Sequence, residues 1–313
     1  MSADIILAVI VKIAVMIALG YLLKKLGIIT NQLQKGLTDL LLLAILPLSI
    51  LSSADYAFSS DLLRGMLVVA AAATAFYVAG LFFMTYLSRK LYLQLNERKI
   101  FVTMTVFANT GFVGFPIITA LFGQQGLLLA VIYNMFYNLF MYTYGINMLS
   151  GQGKKERIKM KPILTNPITI ASVASILIFV SPFRFPAVFS APIADIGAMS
   201  VPISMIIMGA SLANIPLLEI VKDKYSYLVS GIRLIFFPLL MLLAMKLLNV
   251  SSVTATICVL MTALPCGTMN VIFAEKYDCA PEFASRTVVL SLLLMIITLP
   301  VMIFLTTAVF SVS

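Results

Sequence analysis

Apolar residues run along this chain in long continuous stretches, as in Leu40–Leu51 and Val288–Leu305. They do not alternate as in a half-buried strand, nor form the narrow stripe of a surface helix. A helix needs about 20 predominantly apolar residues to cross a hydrocarbon core of roughly 30 Å. Runs between polar breaks predict ten such helices: Ile5–Leu23, Leu37–Ala54, Leu62–Leu87, Ile100–Phe122, Leu127–Leu149, Asn166–Val180, Ile193–Ala213, Tyr227–Leu248, Val253–Ala274 and Phe283–Val309. The sixth is short and the tenth long, differences that tilt absorbs. A membrane β-barrel would instead show alternating segments of about 10 residues. The expected fold class is an all-α polytopic membrane protein.

Composition agrees. Of the 313 residues, 62% are hydrophobic and 11% charged, and the mean hydropathy is +1.09. A soluble domain carries about 45–50% apolar and about 25% charged residues, so too little charge is present for a water-facing surface. Disorder is excluded by the same hydrophobicity. The chain has no His, which removes imidazole metal ligands and His general bases. Its three cysteines, Cys258, Cys266 and Cys279, form no CxxC pair and read as small packing residues. Neither a metal nor a cofactor is expected. With no Trp, an interfacial belt rests on Tyr and Phe.

The basic residues then orient the spans. Of the 21 Lys and Arg, sixteen fall in loops on one predicted side, and only Arg64, Arg184 and Lys246 fall on the other. Lys and Arg accumulate on the cytoplasmic side, which predicts a cell-membrane protein with both termini outside. The net charge of +9 is explained by topology, with no nucleic-acid partner. The first span has no basic n-region and reads as retained. A basic linker, residues 151–165, divides the chain into two sets of five spans, residues 1–150 and 166–313. An odd number per half gives similar halves opposite orientation, the arrangement of inverted-repeat secondary transporters. Weak repeat traces fit this: Pro47-Leu48-Ser49-Ile50 in the second span, and Pro202-Ile203-Ser204-Met205 in the seventh.

Two spans carry interruptions. The fourth contains Asn109, Thr110, Gly111, Gly114 and Pro116; the ninth contains Pro265, Gly267, Thr268 and Asn270. Proline removes a helix hydrogen bond, and in hydrocarbon the freed groups need partners or a wet cavity. A packed Pro kink would meet that need alone, but it does not require polar side chains beside it. Such clusters at matching positions of two halves point to a transporter binding site. A half-helix N-terminus offers free N–H groups to an anion, and a half-helix C-terminus offers carbonyls to a cation or donor. Asn109 and Asn270 add amide donors and acceptors, and Thr110 and Thr268 add hydroxyls.

The ordered set of motifs resembles the auxin efflux carrier family over nearly the whole chain. The resemblance is carried by Asn109-Thr110-Gly111-Phe112-Val113-Gly114-Phe115-Pro116 with Leu121-Phe122-Gly123, and by Asn166-Pro167. Pro202 with Gly209-Ala210-Ser211-Leu212, Arg233 with Pro238, and Leu264-Pro265 through Asn270 complete it. The resemblance implies a ten-helix 5+5 inverted repeat similar to bile acid/sodium symporters and sodium/proton antiporters. Its fourth and ninth helices break and cross at prolines, here Pro116 and Pro265. It further implies small organic anion substrates such as auxin or malonate, an elevator-type motion and homodimers. One departure concerns the tenth helix, where Ser291 is followed by Leu292-Leu293-Leu294-Met295. That thins any cation site there and weighs against sodium coupling. The coupling ion, Na+ or H+, stays open.

Charges inside spans are few. Arg233 in the eighth span reads equally as a counter-charge for an anionic substrate or as a structural group bonding broken-helix carbonyls. Lys12 reads as a snorkelling or dimer-contact residue. Asp39, Asp195 and Glu275 sit at predicted span ends, which disfavours a double-aspartate proton antiporter. Asn134 and Asn138, four apart, share one face of the fifth span as substrate-path or bridging residues. Ser204, Ser211 and Asn214 are expected to bond between helices, and Gly209 to allow close packing. The expected function is efflux or exchange of a small carboxylate. Rivals are a ligand sensor without turnover, a channel, and a membrane enzyme, the last lacking any nucleophile–base set.

Overall fold

A computed structural model describes residues 3–54, 59–150, 165–213 and 223–310. Most of the basic linker, residues 151–164, and Asn214 lie outside the described residues. Among the described residues the elements are helices: α1 (Ala3–Lys25), α2 (Asn31–Ser53), α3 (Ser60–Ser88), α4 (Leu95–Val106), α5 (Thr110–Leu149) and α6 (Pro167–Val180). They continue with α7 (Ala187–Ala198), α8 (Ser200–Ala213), α9 (Lys224–Leu247), α10 (Ser252–Thr262), α11 (Thr268–Lys276) and α12 (Pro281–Phe310). Among the described residues, seven stretches are long and apolar enough to cross a membrane; α6 and α10 are shorter apolar helices.

The helix starts follow local chemistry. Thr30 caps α2 by accepting from the Leu33 N–H at 3.1 Å, and Asn166 caps α6 from Ile168 at 2.9 Å. Asp223 caps α9 from Tyr225 at 3.0 Å, and Gln94 and Glu97 form a capping box on α4.

Prolines leave a second mark. Leu41–Ile45, Thr110–Gly114 and Ile232–Phe236 are π-helical turns, and each is followed by one residue and then a proline: Pro47, Pro116 and Pro238. A proline cannot donate to the carbonyl four residues back and its ring displaces that carbonyl. The preceding turn widens to the i→i+5 pattern.

The described residues divide between two compact units. One draws on Met1–Leu67, Gly111–Met135 and Leu164–Ile215; the other draws on Val68–Thr110, Phe136–Ile163 and Pro216–Ser313. Each unit takes segments from both halves of the chain.

In the first unit, α1 lies directly on α8. A Cβ on Gly209 would fall on the Ile17 carbonyl oxygen, and a Cβ on Gly20 would fall on that of Ile206. Only glycine permits this backbone-to-backbone approach, the small-residue contact that replaces hydrophobic driving force inside a bilayer. Around it, Gln34 donates to Ser211 at 2.9 Å, and Ser53 meets Ser175 at 3.2 Å. Ser204 departs from expectation: its hydroxyl donates locally to Val201 O at 3.1 Å, because the helix carbonyl three residues back is its nearest acceptor.

In the second unit, α9, α10 and α12 pack against one another. Tyr77 stacks between Phe107 and Phe140, with ring centroids 5.7 and 5.4 Å away. Tyr137 meets Phe107 edge-on at 5.9 Å. Tyr137 is buried here, and Tyr133 is buried in the first unit. All three cysteines are reduced and buried. Burial pushes the Cys279 thiol above its ordinary pKa.

Candidate functional site

Two helix ends of the second unit face each other across extended backbone. α4 ends at Val106, and Phe107 turns out of the helix with φ −99° and ψ 105°. α10 ends at Thr262, and the chain becomes extended before α11, with Gly267 at φ −71° and ψ 131°. The two strips pair antiparallel at Ala108 and Cys266. Asn109 N–H donates to Pro265 O at 2.9 Å, and Gly267 N–H donates to Phe107 O at 2.9 Å. In hydrocarbon this mutual pairing removes the cost of leaving non-helical backbone without partners. Proline is tolerated at 265 because its position calls for an acceptor only. Glycine is required at 267: a Cβ there would sit 2.9 Å from Ala108 O and 3.1 Å from Phe107 O.

Arg233 completes the crossing. It is fully buried on α9. Its Nε donates to Leu264 O at 3.0 Å and Nη1 to Val106 O at 3.1 Å, with longer contacts of 3.4 Å to Thr105 O and Met261 O. These carbonyls lie at the C-terminal ends of α4 and α10, where helices leave acceptors unpaired. Two helix C-termini carry about −0.5 charge each, so one guanidinium neutralises the pair. The Phe76 ring lies 5.5 Å from the guanidinium carbon. Of the two roles read from sequence, this geometry matches the structural one. Arg233 binds helix ends, and its donors face main-chain oxygen.

Asn270, on the first turn of α11, is likewise fully buried. Its Nδ2 donates to Gly267 O at 2.9 Å and to Phe107 O at 3.1 Å. Both partners are carbonyls, so the amide cannot be turned over without setting Oδ1 against them. Oδ1 is therefore left as a buried acceptor with no donor among the described residues. Thr268, which opens α11, is exposed, while Gly267 before it is buried. The positive end of α11 thus meets open space beside a buried amide.

Ser291 on α12 accepts from Cys266 N–H at 3.0 Å and donates to Val288 O at 2.8 Å. Asn109, Thr110, Pro265, Gly267, Asn270, Arg233 and Ser291 all belong to this unit, as does Asn138, buried on α5. Gly111, Gly114, Pro116 and Asn134 belong to the other unit. There a Cβ on Gly111 would lie 3.8 Å from Asn134 Oδ1, and Gly114, Pro116 and Asn134 are buried.

The backbone leaves helical form at residues 107–109, ahead of the π-helical turn 110–114, and not at Pro116 itself. Pro116 is the second residue of the α-helical stretch after that turn, where a missing N–H costs little. Within α5 a single residue, Gly123 at φ +60°, interrupts the helix between 110–122 and 124–149. Sequence reasoning missed Ala108, Phe107 and Cys266. They act through main-chain atoms, so side-chain pattern carries no sign of them. Among the described residues, no group of three or more His, Cys, Asp and Glu could hold a metal ion.

Similarity to known proteins agrees with this architecture. Residues 5–303 match the family model described as membrane transport protein. An uncharacterized transporter of Methanothermobacter thermautotrophicus is 24% identical over 298 residues, covering 93% of this chain and 95% of that protein. The uncharacterized transporter MJ1031 of Methanocaldococcus jannaschii is 22% identical over 279 residues, covering 86% and 89%. The chain belongs to the membrane transport protein family, the auxin efflux carrier family that its helix motifs resemble, and is a multi-pass transporter rather than an enzyme.

Proposed function

We propose that the protein is a secondary transporter that exports or exchanges a small organic anion, such as a carboxylate, at the crossing of its two interrupted spans. The observation that carries the reading is the paired backbone at Ala108 and Cys266, beside which the first turn of α11 presents the exposed Thr268 and the buried Asn270. A helix N-terminus supplies N–H donors and partial positive charge to a carboxylate. Arg233, held among helix-end carbonyls, organises the crossing from behind. Asn109 and Asn270 supply neutral polar contacts, so affinity comes from helix ends and amides. In this reading the chain is a ten-span 5+5 inverted repeat, and alternating access is an elevator-type motion. The division into two compact units, each built from both halves, supports that picture.

The test is a thermal-shift screen of mono- and dicarboxylates on purified protein, each in sodium and in potassium. A ligand bound to the native state raises apparent stability with the logarithm of its concentration over Kd. A dicarboxylate such as malonate is expected to raise the melting temperature. A shift confined to sodium identifies the coupling ion. A flat response to every carboxylate, with a shift from a neutral or cationic solute, overturns the anion assignment.

A further inference from the structure

We infer that the second unit binds one monovalent metal cation between the opening turns of α9 and α12, apart from the crossing. The site starts from a hydroxyl contact. Ser226 on α9 and Thr287 on α12 meet at 2.8 Å, oxygen to oxygen, and both residues are fully buried. Ser226 also donates to Asp223 Oδ2 at 2.9 Å. Asp223, Ser226 and Ser230 recur at i, i+3 and i+7, so they share the face of α9 that meets Thr287. Ser230 supplies an independent observation. It is fully buried, and its Oγ has no hydrogen-bond partner among the described residues. Its direction follows from the register of the two helices. Beyond the Ser226–Thr287 contact, Arg233 on α9 reaches Leu264 O, and Ser291 on α12 reaches Cys266 N–H. Both helices therefore run the same way toward the crossing, and Ser230, one turn past Ser226, lies on the α12 side between them. Most buried polar side chains find a partner, so such an oxygen marks a place for an ion or a water.

The chemistry of the cluster selects the ion. The single hydroxyl proton of Ser226 goes to Asp223, and that of Thr287 goes to Ser226 or to Phe283 O, 2.7 Å away. What these groups leave over is oxygen lone pairs beside one carboxylate. Asp223 is oriented by its helix cap, with Oδ1 accepting from Tyr225 N–H at 3.0 Å. An all-oxygen set of this kind suits a hard cation and repels an anion. A single carboxylate balances a single positive charge. A divalent ion would keep an uncompensated charge in a buried place, which is costly, and Ca2+ takes roughly six to eight oxygen ligands. Asp223, half-buried at the start of α9, gives the ion its way in. The neighbouring Lys224 lays its ammonium on the Tyr225 ring at 5.0 Å. Ser291 is not among the ligands: it accepts from Cys266 N–H and donates to Val288 O. The ion thus sits one turn of α12 away from the residue that holds the crossing.

The experiment melts purified full-length protein, without any carboxylate, in sodium, potassium or choline chloride at equal ionic strength. A cation bound to the native state raises the melting temperature with the logarithm of its concentration over Kd. Sodium or potassium is expected to raise it saturably above choline. D223N is expected to abolish that rise. S230A and T287V are each expected to raise the apparent Kd at least about tenfold, as for the loss of one ligand. In choline, S230A should melt at or above wild type, because it removes a buried hydroxyl that has no partner. Its lost cation response then cannot come from misfolding. Equal melting of wild type in all three salts overturns the proposal, and so does a cation response that S230A leaves intact. A pH response removed by D223N, with no response to either metal ion, also overturns it by assigning the cluster to a proton. With no carboxylate present, each of these outcomes is independent of the anion reading.

Discussion

In the unit that carries α1 and α8, helices meet through bare backbone: Gly209 lies on Ile17, and Gly20 lies on Ile206. In the unit that carries α4 and α10, helix ends meet instead, joined by two main-chain hydrogen bonds and a buried guanidinium. The first arrangement is a contact between backbones whose hydrogen bonds run within each helix. The second exists only because the helices stop. Among the described residues, Asn270 Oδ1 is a buried acceptor without a donor there, and Thr268 is exposed at the start of α11. Under the proposed function, binding belongs where backbone pairing is incomplete, and the glycine contact of α1 and α8 serves as support.

R233A leaves four helix-end carbonyls without their donor in a dry site, and should cost about 3–5 kcal/mol of stability, the range for breaking a buried charge arrangement. Denaturation followed by fluorescence or by retention of monodisperse protein in detergent measures it. R233K should recover only part, since an ammonium cannot fork between the ends of α4 and α10. If R233A melts as wild type and loses only substrate affinity, Arg233 contacts substrate and the structural assignment fails.

The next effect belongs to the other unit. G209A drives a methyl into the Ile17 carbonyl and should cost about 1–3 kcal/mol through helix separation. Substrate affinity should be unchanged, measured as KM in proteoliposomes. An affinity loss as large as that of a crossing variant would show that the two regions do not divide support from binding as described.

The smallest effect is expected from S291A. It leaves Cys266 N–H without its acceptor and should cost about 1 kcal/mol, read as a small drop in melting temperature. S291A should leave the response to sodium unchanged if Ser291 serves only as a backbone cap. A lost sodium response would place it in a cation site.

Much of this was legible along the chain. The apolar runs marked the helices, and Asn166-Pro167 marked the start of α6, where an Asx cap and a first-turn proline act together. Gly209 was legible as a contact residue; Gly20, its counterpart on α1, was not, since a lone glycine in an apolar helix has no neighbouring signal. Arg233 was legible as a pair of alternatives, because sequence shows a charge in a span but not the carbonyls it reaches. The exact place where α4 ends was not legible. Pro116 attracts attention there, yet its effect is spent on the π-helical turn 110–114, and the extended pairing falls on Ala108. Main-chain partners such as Phe107 and Cys266 have side chains that look like ordinary packing. Ser204 bonded locally for an equally plain reason, the nearness of its own helix carbonyl.

The central claim is that an organic anion is bound at the first turn of α11 beside Asn270. It is tested most directly by counterflow of radiolabelled malonate in proteoliposomes with wild type, N109A and N270A. Wild type is expected to show accelerated uptake into preloaded vesicles. The KM of N270A is expected to rise at least about tenfold, the equivalent of one lost buried contact of ~1.4 kcal/mol, with N109A shifted in the same direction. Unchanged KM and unchanged uptake in both variants would contradict it.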